Sequence, residues 1–206
     1  MDDSLSFRTL EAREWPEAMT LAARSFQGEP FIAEMFGHQP LQRFAKAHRF
    51  YRATQRHESD VQLGAFVDGV LVGLTSSSPA GRCHICEYVD PLRPPADPAA
   101  RIDWMFEVNT QAAHSDQGTH AWLGRLVVDP ALQGAGIGRA LVARSLEGLR
   151  AETGTVGVVL ECQSHREALY LACGFERVRT FPDPAGPDCL LMRAEVEARH
   201  DRSAPM

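Results

Sequence analysis

The chain has 206 residues, of which 23% are charged and 44% hydrophobic, and its formal net charge is −6 at pH 7. This length suits a single globular domain. The acidic balance argues against nucleic acid as the main partner and suits a cationic amine. No apolar run approaches the roughly 20 residues of a membrane span, and the start MDDSLSF lacks the apolar core of a signal peptide. We therefore expect a cytoplasmic protein with no membrane and no nucleic-acid partner.

The N-terminal part of the chain is predicted to be a short strand followed by helices. The strand covers residues 7–10, and a helix begins near residue 14, with Pro16 in its first turn, and ends at Phe26. Further helical turns are predicted at residues 31–36 and a longer helix at about 41–56. This last helix carries a stripe that we assign to the core rather than to a pocket wall, made of Leu41, Phe44, His48 and Tyr51.

A β-hairpin is the clearest local prediction. Two apolar segments, residues 63–67 and 70–74, flank the dipeptide Asp68-Gly69. This dipeptide accepts the positive φ angles that a two-residue turn requires.

Residues 76–118 form an insertion that is either a lid on the substrate side or a surface loop. A helix is predicted at about 98–113, where Asp103 and Glu107 either contact an amine or, as we favour, form the solvated face of the helix. The insertion also contains a C-x-x-C pattern, Cys83 to Cys86. Zinc would need a second pair of ligands at a compatible spacing, and the nearby His114 and His120 fall in no recognised pattern. We therefore predict no metal, and five reduced cysteines.

Residues 122–145 form the segment on which the functional prediction depends. An apolar strand ends at Asp129-Pro130, and a helix with apolar residues at helical spacing begins near Ile137. Three glycines at alternate positions join them: Gly134, Gly136 and Gly138. Glycine lets the main chain approach a ligand closely, and the first amides of a helix have no partner within it. This arrangement predicts a site for a phosphate or diphosphate.

The glycine spacing excludes two common phosphate sites. A Walker loop needs a lysine after its last glycine, and a dinucleotide fingerprint needs glycine at its sixth position. Arg139 occupies both places. Glu161, about 20 residues on, could still bind a ribose, so a dinucleotide-binding oxidoreductase remains an alternative.

The C-terminal part of the chain completes a sheet. We predict strands at residues 156–160, 175–181 and 188–192, a helix at 166–173 ended by Gly174, and a disordered tail at 195–206. The result is a mixed α/β fold in which a crossover helix joins one parallel pair of strands.

Two motifs resemble the GNAT superfamily of N-acetyltransferases. The first is Q-x-x-G-x-G, from Gln133 to Gly138, preceded by the strand and Asp129-Pro130. The second is L-Y-x-x-x-G-F, from Leu169 to Phe175. The sequence departs from the family pattern at Gln163, where many members have Asn, and at Arg166, where others have Asn or Gly.

The resemblance implies a GNAT-like fold, with a mostly antiparallel mixed sheet, one parallel pair and helices on both faces. A single domain would span residues 1–194. The implied reaction is the transfer of an acetyl group from acetyl-CoA to a primary amine of a small molecule or peptide, by direct attack in a ternary complex. Because many relatives are dimers, a homodimer also stays open.

The resemblance also assigns roles to residues. Tyr170 would protonate the departing thiolate. A base is less clear, because Trp122 occupies the place of a glutamate that some relatives have; His120, two residues earlier, is our candidate. Acetyl-CoA would contact the strand and the loop through Leu126, Val127, Val128, Gln133, Gly134, Ala135, Gly136, Ile137, Gly138 and Arg139. The missing carboxylate on the strand keeps a non-catalytic acyl-CoA-binding module as an alternative.

Overall fold

The structure is a computed structural model that describes residues 5–54, 61–83, 90–151, 157–183 and 186–195. Its strands are β1 (Leu5–Thr9), β2 (Val61–Val67), β3 (Val70–Ser78), β4 (Ala121–Val128), β5 (Gly157–Gln163), β6 (Glu176–Phe181) and β7 (Cys189–Glu195). Its α-helices are α1 (Trp15–Phe26), α2 (Pro30–Phe36), α3 (Pro40–Thr54), α4 (Pro98–Ser115), α5 (Ile137–Ala151) and α6 (Glu167–Leu171).

The strands form one sheet in the order β1-β2-β3-β4-β5-β7-β6. Every neighbouring pair is antiparallel except β4 and β5, which are parallel and are joined through α5. Parallel neighbours need such a crossover, because the chain must return to the same end of the sheet. This topology confirms the predicted mixed α/β fold with one parallel pair.

Helices cover both faces of the sheet. A β-bulge in β3, where Val72 has no partner opposite it in β2, puts Val72 and Leu74 on opposite faces although they are two residues apart. On one face, Leu74 of β3 packs with Met19 of α1 and Tyr51 of α3. On the other face, Val72 of β3 packs with Leu141 of α5. The C-terminal strands continue this second layer, where α5 covers a cluster that includes Val142, Leu146, Leu160 and Met192.

The predicted hairpin is confirmed, and its turn has φ angles of 50° at Asp68 and 80° at Gly69. Strand β3 continues to Ser78, beyond the predicted end at residue 74, because its last residues pair with β4. The predicted helix at 166–173 is shorter, since α6 follows a 3-10 turn at Ser164–Arg166. Cys86 and residues 196–206 lie outside the described residues.

Strands β4 and β5 separate soon after they meet. They pair only at Ala121–Val158 and Trp122–Val159, although β4 continues to Val128. Within the described residues, the β5 side of β4 beyond Trp122 therefore has no neighbouring strand, and a wedge opens between the two. Among the described helices, none combines the length and apolar character needed to cross a membrane.

Candidate active site

The glycine loop, Gln133 to Arg139, lies at the wide end of this wedge and leads into α5. Gly134 and Gly136 have φ angles of 87° and 84°, a region that favours glycine. A Cβ atom at either position would meet no atom within 4 Å. The backbone conformation, and not crowding inside the protein, therefore requires glycine there, and the space in front of the loop stays open to a ligand.

Several amides of the glycine loop are unpaired. The amide of Ala135 donates to the Leu132 carbonyl, and the first helical bond runs from Ala140 to the Gly136 carbonyl. Within the described residues no acceptor faces the four amides from Gly136 to Arg139. Because these amides stand at the positive end of the α5 dipole, they are suited to bind an anion.

The free side of β4 presents main-chain groups to the wedge. Amides of Arg125 and Asp129 point towards β3, where they donate to Ser76 Oγ (2.9 Å) and to the Val72 carbonyl (2.8 Å). Successive residues of a strand alternate in direction. The amides of Leu126 and Val128 therefore face the wedge, whereas that of Val127 faces β3.

The wedge contains a cavity of about 570 Å³. The loop lines one part of it, with Gly134, Gly136 and Arg139, and α6 lines another, with Tyr170. Helix α4 contributes Phe106 and Glu107, so the predicted insertion at 76–118 does border the site. The cavity thus extends from the loop amides to a chamber whose walls include aromatic and acidic side chains.

Tyr170 is buried, with 7% of its surface exposed, and packs edge-on against the Phe175 ring at 5.9 Å. Burial raises the pKa of its phenol well above the usual value. The phenol therefore stays protonated at neutral pH and is a proton donor at the cavity wall.

Glu161 of β5 places a carboxylate on the cavity wall, a position that the sequence did not predict. Its Oε2 accepts a hydrogen bond from Trp122 Nε1 (3.0 Å), and its Oε1 is bonded to His114 Nε2. Burial acts to raise the pKa of Glu161, but His114 and the two hydrogen bonds outweigh it, so the pKa is lowered overall. Glu161 is therefore a carboxylate held in place by two donors.

The indole of Trp122 reaches Glu161 because the next-but-one residue is glycine. A Cβ atom at Gly124 would lie 2.5 Å from the Trp122 ring and 2.8 Å from Ser76 Oγ. Gly124 thus leaves room for the ring to lie close to its own strand.

His120, our candidate base, is not part of the cavity wall within the described residues. It is buried just before β4, where its Nδ1 bonds to the Gly118 carbonyl (2.7 Å) and its Nε2 lies 3.0 Å from His114 Nδ1. Burial is the main reason that the pKa of His120 is lowered. The imidazole therefore lies behind Glu161, separated from the cavity by His114.

Two further side chains at the cavity stand where the sequence departs from the family pattern. Arg166 is bonded at 2.7 Å to Glu29, the residue that precedes α2. Gln163 has a buried Oε1 with no partner within the described residues. The first closes one side of the cavity with an ion pair, and the second offers an acceptor to a ligand.

Comparison with protein-family models decides the family. The model described as "Acetyltransferase (GNAT) family" matches residues 15–175. The chain belongs to the GNAT acetyltransferase family. It is an enzyme of the acetyltransferase class, and the family uses acetyl-CoA, which confirms these predictions and makes the oxidoreductase alternative wrong.

Solved structures support the fold of this acetyltransferase. A putative arylalkylamine N-acetyltransferase from Aedes aegypti matches with a TM-score of 0.69 and 16% identity, covering 94% of this chain and 88% of the other. A structure described as histone acetyltransferase HPA2 and related acetyltransferase, from Corynebacterium glutamicum, matches with a TM-score of 0.67 and 17% identity. The match covers 96% of this chain and 99% of the other. A putative acetyltransferase from Salmonella typhimurium, solved with its cofactor acetyl-CoA, matches with a TM-score of 0.55 and 16% identity, covering 98% of each chain. No curated protein sequence matches the chain.

Proposed function

We propose that this acetyltransferase moves the acetyl group of acetyl-CoA to a primary amine of a small molecule or peptide, by direct attack in a ternary complex. One observation carries the proposal. The same cavity is bordered by unpaired loop amides, by the Tyr170 phenol and by the Glu161 carboxylate. A phosphate-bearing acyl donor and a cationic acceptor can therefore meet there.

The groups around the cavity fit acetyl-CoA. The amides from Gly136 to Arg139 would hold the diphosphate, and the Arg139 guanidinium would add a charged contact. The wedge-facing main chain of Leu126 and Val128 would bind the amides of the pantetheine arm in the manner of another strand. The unpartnered Oε1 of Gln163 supplies one more acceptor for such an amide. These contacts would direct the thioester towards Tyr170.

Acetyl-CoA supplies an activated acyl group, and the protein supplies proton donors and alignment. When the neutral amine displaces the sulfur, a C–N bond forms and the C–S bond breaks. The nitrogen must then lose one proton, which restores the proton donor, and the thiolate that leaves must gain one. The Tyr170 phenol is protonated because burial raises its pKa, so it is our candidate acid. An amide of β4 that faces the wedge would stabilise the charge that develops on the carbonyl oxygen.

We assign contact with the amine to Glu161 rather than to His120, because Glu161 lines the cavity and His120 does not. An ionised carboxylate attracts an ammonium group and fixes its position near the thioester. Because the pKa of Glu161 is lowered, its proposed role is to bind the cation, and the proton leaves to solvent before the attack. The base role of His120 would require proton transfer through His114 and Glu161.

The rest of the cavity wall favours an amine with an apolar substituent. Aromatic side chains from three helices and from β4 line it: Phe31, Phe50, Phe106 and Trp122. Aromatic rings bury large apolar areas and also contact cations through their faces. A primary arylalkylamine or alkylamine therefore matches the wall better than a polyhydroxylated amine.

The test is a thiol-release assay with acetyl-CoA and a panel of primary amines, with the N-acetyl product identified by mass spectrometry. We expect turnover of phenylethylamine and hexylamine and none of phenylethanol, which keeps the ring but lacks the nitrogen. Calorimetry with CoA runs in parallel. Binding of CoA without turnover of any amine would favour the non-catalytic module, and failure to bind CoA would overturn the whole proposal.

A further inference from the structure

Three metal-ligating side chains from separate segments meet behind the cavity. They are Cys83, which follows β3, His114 in the last turn of α4, and His120, which precedes β4. Their exposed fractions are 8%, 0% and 2%. Cys83 Sγ lies 3.4 Å from His114 Nδ1, which lies 3.0 Å from His120 Nε2, and all three atoms are within 4.8 Å of one another.

The outer hydrogen bonds decide which ring nitrogens face inward. A backbone carbonyl can only accept, so the bond to Gly118 places a proton on His120 Nδ1 and leaves Nε2 inside. Glu161 Oε1 is bonded to His114 Nε2, so Nδ1 is the inner nitrogen of that ring. His114 Nδ1 and His120 Nε2 face each other across 3.0 Å, and Cys83 Sγ lies 3.4 Å from the first of them.

A proton on one of these atoms would join only two of them in a hydrogen bond. A metal ion would use all three, because Cys83 Sγ and the two inner nitrogens lie within 4.8 Å of one another. Moreover, each ring nitrogen on the outside is bound by a carboxylate or a carbonyl, which is the usual arrangement around histidines that bind a metal.

We propose that Cys83, His114 and His120 bind one zinc ion. One sulfur and two imidazole nitrogens are ligands typical of zinc. With tetrahedral zinc at its usual bond lengths, two nitrogens lie about 3.4 Å apart and a sulfur and a nitrogen about 3.6 Å apart. The observed 3.0 and 3.4 Å approach these values. Zinc completes its four-coordination with a further ligand such as water.

The ion would tie the end of α4 to two segments that main-chain pairing already joins: the chain after the β2–β3 hairpin and the start of β4. It would also fix the His114 ring and, through Nε2–H, the carboxylate of Glu161 at the cavity wall. The zinc site is therefore a structural support for the acidic side of the cavity. The inference does not depend on the substrate proposal, because zinc binding is measured without substrate.

The experiment uses the full chain, stripped with a chelator and then equilibrated with zinc chloride. Plasma mass spectrometry should find one zinc per chain. Cobalt(II), bound in place of zinc, should give the strong visible bands of a tetrahedral site and a thiolate charge-transfer band in the near ultraviolet. X-ray absorption at the zinc edge should show sulfur and nitrogen ligands together. These measurements use the unchanged protein, so they decide the matter even if variants fold poorly.

Matched variants then identify the ligands. Cys83→Ser should lose the cobalt charge-transfer band, while Cys173→Ser, a partly buried cysteine outside the cluster, should keep it. His114→Gln should lose stoichiometric zinc, while His38→Gln, an exposed histidine, should not. Glu161→Gln should weaken zinc binding by about 10- to 100-fold, because it changes the partner of a ligand and not a ligand itself.

Two results would overturn the proposal. One is the absence of bound zinc and cobalt after equilibration, which would mean that a shared proton occupies the space between the imidazoles. The other is a folded Cys83→Ser protein, checked by circular dichroism, that keeps the unaltered cobalt spectrum, since the ion would then lie elsewhere.

Discussion

The glycine loop and the carboxylate of Glu161 border the same cavity, but they are built in opposite ways. The loop is one stretch of chain, Gln133 to Arg139, and the groups that it offers to a ligand are main-chain amides. Glu161 depends on partners that are 39 and 47 residues away, Trp122 and His114. A main-chain site is therefore encoded by local glycine spacing, whereas a side-chain site needs the register of the whole sheet.

The two regions also differ in burial, which sets how each responds to mutation. Gly134 and Gly136 are exposed, whereas His114 and His120 are buried. Changes in the loop should alter ligand binding and leave the fold intact. Changes around Glu161 should affect both substrate binding and the stability of the surrounding core.

The largest expected effect belongs to Tyr170, which lines the same cavity as the two regions. Tyr170→Phe keeps the ring and removes the donor, so kcat should fall by about 10²- to 10⁴-fold. Affinity for CoA, measured by calorimetry, should stay nearly constant. An acetyl donor with a more acidic thiol should show a smaller defect, because its thiolate needs less help from an acid. An equal defect with both donors would contradict the role of Tyr170 as the acid.

Gly136→Val tests the loop alone. A β-branched residue at a φ of 84° is strained by about 1–3 kcal/mol, and its side chain projects into the space in front of the loop. We expect CoA to bind about 100-fold more weakly by calorimetry, equivalent to about 2.7 kcal/mol. Gly148→Ala is the control, because this glycine lies within α5 and a Cβ there meets no atom within 4 Å. Unchanged CoA binding by the valine variant would contradict the proposal that the loop amides bind the diphosphate.

Glu161→Gln tests the side-chain region. Loss of the charge should raise KM for the amine by about 30-fold, or about 2 kcal/mol, as for a buried charge that loses its partner. Affinity for CoA should change little. The control is Glu147→Gln, on the exposed surface of α5. Both proteins are assayed with saturating zinc, which separates the direct effect from the proposed metal site; an unchanged KM would argue against amine binding by Glu161.

The smallest effect is expected from the ion pair that ties α6, the helix of Tyr170, to β6. Arg177 makes two bonds of 2.6 Å to Glu167, and these bonds lower the pKa of Glu167 below its usual 4.5. A lowered pKa in the folded state means that the pair stabilises the protein fully above pH 4.5 and loses this effect as pH falls through the folded-state value. Glu167→Gln should therefore lower Tm slightly at pH 7, and the difference should vanish in acid. A difference in Tm that persists in acid would show that packing, not charge, is responsible.

Local pattern predicts much of this fold. Asp68-Gly69 requires a tight turn, and the apolar spacing from Ile137 to Leu149 requires an amphipathic helix. What local pattern does not contain is strand order. Nothing in residues 188–192 indicates that β7 lies between β5 and β6, because that choice depends on pairing between distant segments.

The candidate site likewise has a part that local sequence predicts and a part that depends on distant segments. The sequence predicts the loop through its glycines and Tyr170 through its motif. It places Glu161 only by distance along the chain, which led to its interpretation as a ribose ligand. The two-residue spacing of His120 and Trp122 predicts that their side chains lie on the same side of the strand. In the structure His120 contacts His114, and Trp122 bonds to Glu161, the partner of His114. The spacing does not reveal that His114 stands between His120 and the cavity, because α4 supplies that residue.

The insertion of β7 between β5 and β6 affects how the chain assembles on the ribosome. Strand β5 emerges first, and its pairing with β4 involves only two residues on each strand. Its other edge pairs along residues 157–163, but only with β7, which is made later. A nascent chain halted before Cys189 therefore exposes an unpaired apolar strand, which is a template for aggregation. Such a chain should bind chaperones, and synthesis of residues 189–195 should release it.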